Sequence, residues 1–159
     1  MNLKEIFDSI SPLDGIQLNL ESEVILVSSA ALLAVAEKFK NDADLDFDFL
    51  MCITALDDGD SKNFTVAYNF YSNSNKHSVE VQVSVLDGKD VPSLSGTWRT
   101  ADWHEREAYD MMGVIFSGHP ELKRILLPED WEGYPLRKNY KVADYYHGVP
   151  IPKDKSYWE

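Results

Sequence analysis

FTVAYNFYSNSNKHSVEVQVSVL, residues Phe64 to Leu86, contains two runs in which every second residue is apolar: Phe64, Val66, Tyr68, Phe70, then Val79, Val81, Val83, Val85. A period of two places each set on one face of an extended strand. The connection SNSNKHS is polar, turn-rich and short enough to join antiparallel neighbours. Upstream, Phe47, Phe49, Met51 and Ile53 alternate too, and DDGDSKN links them to the next run in the same way. Apolar residues lie between these four as well, which predicts a central strand covered on both faces.

Further toward the N-terminus, Ile16, Leu18 and Leu20 alternate and Val24–Val27 follows the turn ESE, predicting a hairpin. Leu3, Ile6, Phe7 and Ile10 have helical spacing, which Pro12 ends. A second helix is expected after a Ser28 or Ser29 cap, with Leu32, Leu33, Ala36 and Phe39 as its core face. The expected class is α+β: a mainly antiparallel or mixed sheet, roughly residues 16–86, with helices packed on it.

The chain has 159 residues, 44% apolar and 26% charged, which suits one folded domain. Met1 is followed by Lys4, Glu5 and Asp8, unlike a secretory leader. The apolar stretch Val24–Ala36 is too short for a bilayer, so no direct membrane span is expected. A formal charge of −12 disfavours nucleic acid. That charge is unevenly distributed: residues 1–119 carry 8 Lys/Arg against 20 Asp/Glu, while residues 120–159 carry 7 of each. The one cysteine, Cys52, cannot ligate an ordinary iron–sulfur cluster alone and reads as a buried small apolar residue in a reducing compartment.

After Leu86 the pattern changes. DGKDVPSLSGTWRT reads as a loop with one helical turn. A motif helix is then expected over roughly 101–112, capped by Thr100, with Asp102 in its first turn and Gly113 as its stop. Ala101, Glu105, Ala108 and Met112 fall on one side of it; Trp103, Arg106, Glu107 and Asp110 fall on the other. Arg106 is within reach of Asp102 or Asp110, four residues away in either direction. Glu105, Glu107 and Asp110 still outnumber it, so their charge needs other partners if buried. Arg124 and Arg137 are candidates in the chain, and arginines of another protein are equally suitable.

Catalytic patterns are weaker. His104-Glu105 begins like H-E-x-x-H, but position 108 is alanine, so the second histidine is missing. Glu105 and Glu107 point about 200° apart on a helix, unsuited to a paired acid and base. Phosphate-loop, dinucleotide and nucleophile-elbow patterns do not occur. His119, before Pro120, reads as a turn residue bonded to nearby carbonyls. From residue 128 to 159 the chain is rich in Trp, Tyr and Pro without a regular period, and is expected to be a docking tail separate from the domain at 1–127. Its candidate contacts are Trp131, Tyr134, Tyr140, Tyr145, Tyr146, Tyr157 and Trp158.

The block ADWHEREAYDMMGVIFSGHPELKRILLPEDWEGYPLRKNY, residues 101–140, resembles the signature of the 30 kDa subunit family of NADH–quinone oxidoreductase, respiratory complex I, whose bacterial members are its C subunits. The matching elements include Glu105-Arg106-Glu107, Tyr109-Asp110, Gly113, Gly118-His119-Pro120, Arg124-Ile125-Leu126 and Pro135-Leu136-Arg137-Lys138, and VPSLSGTW (91–98) resembles the stretch before them. Met112 and Asn139 depart from the usual Phe or Leu and Asp. The resemblance implies a scaffold subunit of the complex's hydrophilic arm, inactive alone, on the cytoplasmic side of the membrane. It would pack against the D subunit, which forms the quinone site, and against neighbouring iron–sulfur subunits. It implies no cofactor in this chain, with NADH, FMN, iron–sulfur clusters and quinone held by the whole complex. An interface or structural ion network of Glu105, Arg106, Glu107, Asp110, His119, Arg124, Arg137 and Lys138 follows from the two readings together. Alternatives are the same role in a ferredoxin- or NAD(P)H-plastoquinone oxidoreductase, a coenzyme F420 dehydrogenase or a membrane-bound hydrogenase, and a stand-alone hydrolase.

Overall fold

The computed structural model describes residues 1–59 and 62–151. Helix α1 (Leu3–Ile10) begins with a capping box: the Asn2 side chain accepts the Glu5 N–H at 2.9 Å, and the Glu5 carboxylate accepts the Asn2 N–H at 2.8 Å. Strands β1 (Ile16–Asn19) and β2 (Val24–Val27) form the expected hairpin, although Leu20 lies beyond it and is exposed. A 3-10 turn (Ser29–Ala31) then leads into α2 (Leu32–Asn41). Neither Ser28 nor Ser29 caps that helix: Ser28 makes no capping bond, and the Ser29 hydroxyl donates to the Asp90 carbonyl. The core face of α2 is Leu32, Val35, Ala36 and Phe39, the i, i+3, i+4, i+7 set; Leu33, about 100° around the helix from Leu32, is exposed.

Strands β3 (Phe49–Asp57), β4 (Asn63–Ser72) and β5 (His77–Leu86) follow as antiparallel neighbours. The five strands lie in the order β1-β2-β5-β4-β3, with β2 and β5 parallel, so the α+β expectation holds and the sheet is mixed. The inward face aligns Tyr68 with Val81, Phe70 with Val79 and Val66 with Val83, as the alternation predicts. Phe39, Phe47, Phe70 and Trp98 form a chain of ring contacts, with centroids 4.6 Å apart for Phe39–Phe47 and 5.1 Å for Phe70–Trp98. The Trp98 indole N–H donates to the Phe47 carbonyl at 3.0 Å.

Strand β3 departs from the expectation: it is an edge strand, and its alternation breaks at a bulge. Leu50 opposes Phe70 and Cys52 opposes Asn69, leaving Met51 as the extra residue. Leu50 and Ile53 therefore both reach the core, while Phe49 and Met51 are exposed. Cys52 lies half-buried beside Asn69, whose amide donates to its sulfur at 3.5 Å, instead of being a core residue.

The segment that reads as a loop contains β6 (Asp90–Pro92), and after it comes helix α3 (Arg99–Met112), which packs against β3. Strand β7 (Ile115–Ser117) returns parallel to β6. Trp98, not Thr100, occupies the N-cap of α3; the Thr100 hydroxyl instead donates to the Leu50 carbonyl at 3.0 Å. The bond anchors the helix start to the bulged edge. Thr100→Val is expected to cost about 1 kcal/mol, read as a lower urea midpoint with unchanged slope. Gly113 ends α3 in the left-handed conformation, φ 76°. Strands β8 (Tyr145–Tyr146) and β9 (Val149–Pro150) make a small hairpin in the region expected to lack regular structure.

Candidate functional site

The ionic side chains of α3 separate into two buried clusters and one exposed face. Asp110, in the last turns of the helix, is fully buried. One carboxylate oxygen accepts the N–H groups of Ile125, Leu126 and Leu127 at 3.0, 2.7 and 3.0 Å; the other pairs with the Arg124 guanidinium at 2.7 Å. Burial pushes the Asp110 carboxyl upward, but the three backbone N–H bonds and Arg124 outweigh it and hold its pKa below the ordinary range. Arg124 continues the network. Its guanidinium also donates to the carbonyls of Asp110, Trp131 and Gly133 and lies over the Tyr134 ring, 5.3 Å from its centroid.

Residues 134–138 form a strap across the end of α3. The Leu136 N–H donates to the Met111 carbonyl and Arg137 Nε to the Met112 carbonyl, at 3.1 and 2.7 Å. Arg137 also pairs with Asp87 at 2.8 Å, and its guanidinium lies against the rings of Phe64 and Tyr134, 4.8 and 4.6 Å from their centroids. The Lys138 backbone N–H donates to the Asp57 carboxylate at 2.8 Å. The beginning of the expected tail is thus fastened to the α+β unit. Tyr157 and Trp158 lie outside the described residues.

Glu105 lies on the opposite, inward side of α3. Its carboxylate accepts the Ser93 hydroxyl at 2.5 Å and the Leu94 N–H at 2.6 Å. Burial raises its pKa, and those two donors only partly oppose the rise. Because the folded pKa lies above the unfolded one, the stability this group contributes is present at low pH and is lost as pH rises toward the folded value. Glu105→Gln keeps the shape and can accept the Leu94 N–H with its oxygen while its NH2 donates to the Ser93 hydroxyl, reversing that bond, so its stability at pH 7 should equal or exceed that of the parent. The difference should vanish below the ordinary glutamate pKa, a comparison thermal unfolding at several pH values can make.

Arg106 does not pair with Asp102 or Asp110. Its Nε donates to the Lys123 carbonyl at 3.2 Å, and the guanidinium lies 5.2 Å from the centroid of the Trp103 ring. His119 has a fully buried side chain with both ring nitrogens engaged: Nδ1 accepts the Glu121 N–H at 3.0 Å, and Nε2 lies 3.2 Å from the Asp102 carbonyl oxygen and 3.1 Å from its carboxylate. The Glu121 contact assigns the ring proton to Nε2 in the neutral form. Glu107 is exposed, and so is the Trp103 side chain, at 61%. Of the partners open to the buried carboxylates, Asp110 takes Arg124 of this chain, while Glu105 is held by the neutral donors Ser93 and Leu94. The large apolar side chains that α3 and its surroundings leave exposed are Trp103, Ile115, Leu126 and Leu136, set among exposed charges such as Arg99, Glu107, Glu121 and Lys123. The long-range pairings that produce this outcome have no local sequence signal.

This helix, turn and strap lie within residues 25–146, which match the family model described as respiratory-chain NADH dehydrogenase, 30 Kd subunit. The chain belongs to this family.

Relatives in the 30 kDa family extend the match. The C subunit of the NADH-quinone oxidoreductase of Chloroherpeton thalassium is 46% identical over 154 residues, which are 94% of this chain and 62% of the relative. Its counterpart from Chlorobium phaeobacteroides is 48% identical over 110 residues, 68% of this chain and 66% of the relative. This chain thus spans slightly less than two thirds of the length of both. The J subunit of the NAD(P)H-quinone oxidoreductase of Prochlorococcus marinus is 43% identical over 136 residues, 80% of this chain and 77% of the relative. Among solved structures, a chain of the membrane-bound sulfane sulfur reductase, an archaeal respiratory membrane complex, superposes with a TM-score of 0.71 at 18% identity, covering 87% of this chain and 84% of that one. At that identity the likeness concerns the fold alone.

Among the described residues no group of three or more His, Cys, Asp or Glu side chains is placed to hold a metal ion, and no helix is long and apolar enough to cross a membrane.

Proposed function

We propose that this chain is a docking subunit of the peripheral arm of a proton-pumping NADH–quinone oxidoreductase, seated against its quinone-site subunit on the cytoplasmic side of the membrane. The observation that carries the reading is the exposed Trp103, on the family's own motif helix, with Arg106 and Asp110 of the same face bonded inside the chain. A large ring held over a guanidinium and left in solvent is the kind of rigid anchor that dominates protein interfaces. Electron carriers would reside on other chains. The donor set here agrees with this division of labour: Cys52 is the one thiol, and it is hydrogen-bonded to Asn69.

Trp103→Asp should leave the isolated chain's unfolding midpoint nearly unchanged, since the side chain is exposed. It should also deplete the assembled complex on native gels of solubilised membranes and reduce donor-to-quinone activity in proportion. Wild-type levels of assembled complex in this variant would overturn the reading.

The relative from Prochlorococcus marinus supports a second version, in which the same seat belongs to an NAD(P)H-plastoquinone complex. Identifying the chains that copurify from membranes distinguishes the donor modules. The hydrolase alternative is disfavoured by geometry. Glu105 is buried against Ser93 and Leu94, Glu107 faces solvent on another side, and both nitrogens of His119 are engaged.

A further inference from the structure

Beyond the strap, the chain folds back on itself around a cavity of about 240 Å³ between residues 130–132 and the β8–β9 hairpin. Of the four Trp and Tyr residues that line it, Trp131, Tyr140 and Tyr146 form a connected wall, with Tyr145 beside them. The Trp131 indole N–H donates to the Tyr140 hydroxyl at 3.1 Å, and the Trp131 and Tyr146 rings lie 5.3 Å apart, inclined by 44°. Two carboxylates, Asp130 and Glu132, also line it, together with Ala143, His147 and Ile151. Asp130 is held in place by the Tyr146 hydroxyl at 3.0 Å and by His147 Nε2 at 2.6 Å.

Ring faces are negative at their centres, and with adjacent carboxylates they attract a cation while offering it an apolar wall. The volume is below the roughly 300–1,000 Å³ of pockets for small organic ligands, which suits a single long side chain. Guanidinium is weakly hydrated and planar, so it stacks on rings and pairs with carboxylates better than ammonium does. The chain's own arginines are already engaged or distant: Arg106 on the Lys123 carbonyl, Arg124 on Asp110 and on the backbone carbonyls of Trp131 and Gly133, Arg137 on Asp87, and Arg99 at the start of α3, the end of that helix away from the strap.

From this we infer that the Trp131–Tyr140–Tyr146 pocket receives an arginine side chain of a neighbouring subunit. The inference rests on the docking role proposed above and adds to it a defined second contact, a recessed pocket unlike the exposed ring of Trp103. The pocket fixes one cation, which sets the register of the C-terminal segment against its neighbour.

The test has two arms. In the first, the purified chain is titrated with arginine amide while the Trp131 indole N–H resonance is followed, with citrulline amide as the neutral isostere and lysine amide as the ammonium control. Saturable movement with arginine amide is expected, at least tenfold weaker for either control and at least tenfold weaker in Glu132→Gln or Tyr146→Leu. No movement, or equal movement with citrulline or lysine amide, overturns the assignment. In the second arm, membranes carrying Asp130→Asn/Glu132→Gln are washed with increasing salt, and the chain is expected to detach at lower salt than the parent. Arginine binding combined with unaltered attachment overturns the placement of a neighbour's arginine here and leaves the docking role standing. A parent chain that never accompanies the membrane complex instead overturns the docking role, and with it the assignment of the occupant.

Discussion

Asp110→Ala is expected to lower the unfolding free energy by about 3–5 kcal/mol, the range for removing one partner of a buried ion pair. The loss has several parts acting together. Arg124, with its side chain only 14% exposed, keeps its charge without its carboxylate. The N–H groups of Ile125, Leu126 and Leu127 lose their acceptor. The chain direction after β7 is set by those three bonds, so the variant should also expose the 122–128 region to limited proteolysis. Asp110→Asn retains an acceptor oxygen and should fall between the two.

The pH dependence gives a second reading of the same group. Its folded pKa is depressed, so its contribution is fully present above the ordinary aspartate value and is lost as pH falls through the folded one. Parent and Asp110→Ala should therefore converge in acid, and the acid-unfolding limb should be shallower in the variant. A loss below about 1 kcal/mol at pH 7, within the range of ordinary substitutions, would show that solvent replaces the carboxylate and that the network does not hold the turn.

Gly113→Ala is expected to cost about 2–4 kcal/mol, combining a left-handed backbone with overpacking. At φ 76° an added Cβ would lie 2.5 Å from a Tyr134 ring carbon and 2.7 Å from an Arg137 guanidinium nitrogen. The strap has to lift, taking with it the Arg137 bond to the Met112 carbonyl and the Asp87 ion pair. Gly118→Ala provides the control. Gly118 has φ 80° with open space around its would-be Cβ, so it reports the backbone cost alone, about 1 kcal/mol. The difference between the two midpoints isolates the strap. Equal losses would mean that Tyr134 and Arg137 move aside freely.

The β4–β5 pairing is legible in the sequence because alternation in Phe64–Phe70 and Val79–Val85 is local and unbroken. Gly113 is legible for a similar reason, a glycine after a helical run. Arg124 can be named with Arg137 as a candidate partner of Asp110 because both arginines follow the helix, but its selection depends on a turn fixed by backbone N–H groups, which carry no residue-specific signal. The bulge at Met51 is hidden because one extra residue leaves the same apolar letters in place and only reverses their facing. That β3 is an edge, covered by α3, depends on non-local packing. The strap resembles free tail in the sequence because Leu136 and Arg137 are fastened through carbonyls of Met111 and Met112, contacts that carry no periodic pattern.

The parallel seam between β2 and β5 joins Ile25 to Val81 and Leu26 to Gln82. The N-terminal hairpin therefore has no neighbour to zip against until the third run of alternating valines has been translated. At about 5–20 residues per second, the roughly sixty intervening residues take about 3–12 seconds to synthesise. During that interval Val24–Val27 waits on the nascent chain with one edge unpaired, open to a passing strand or to a chaperone.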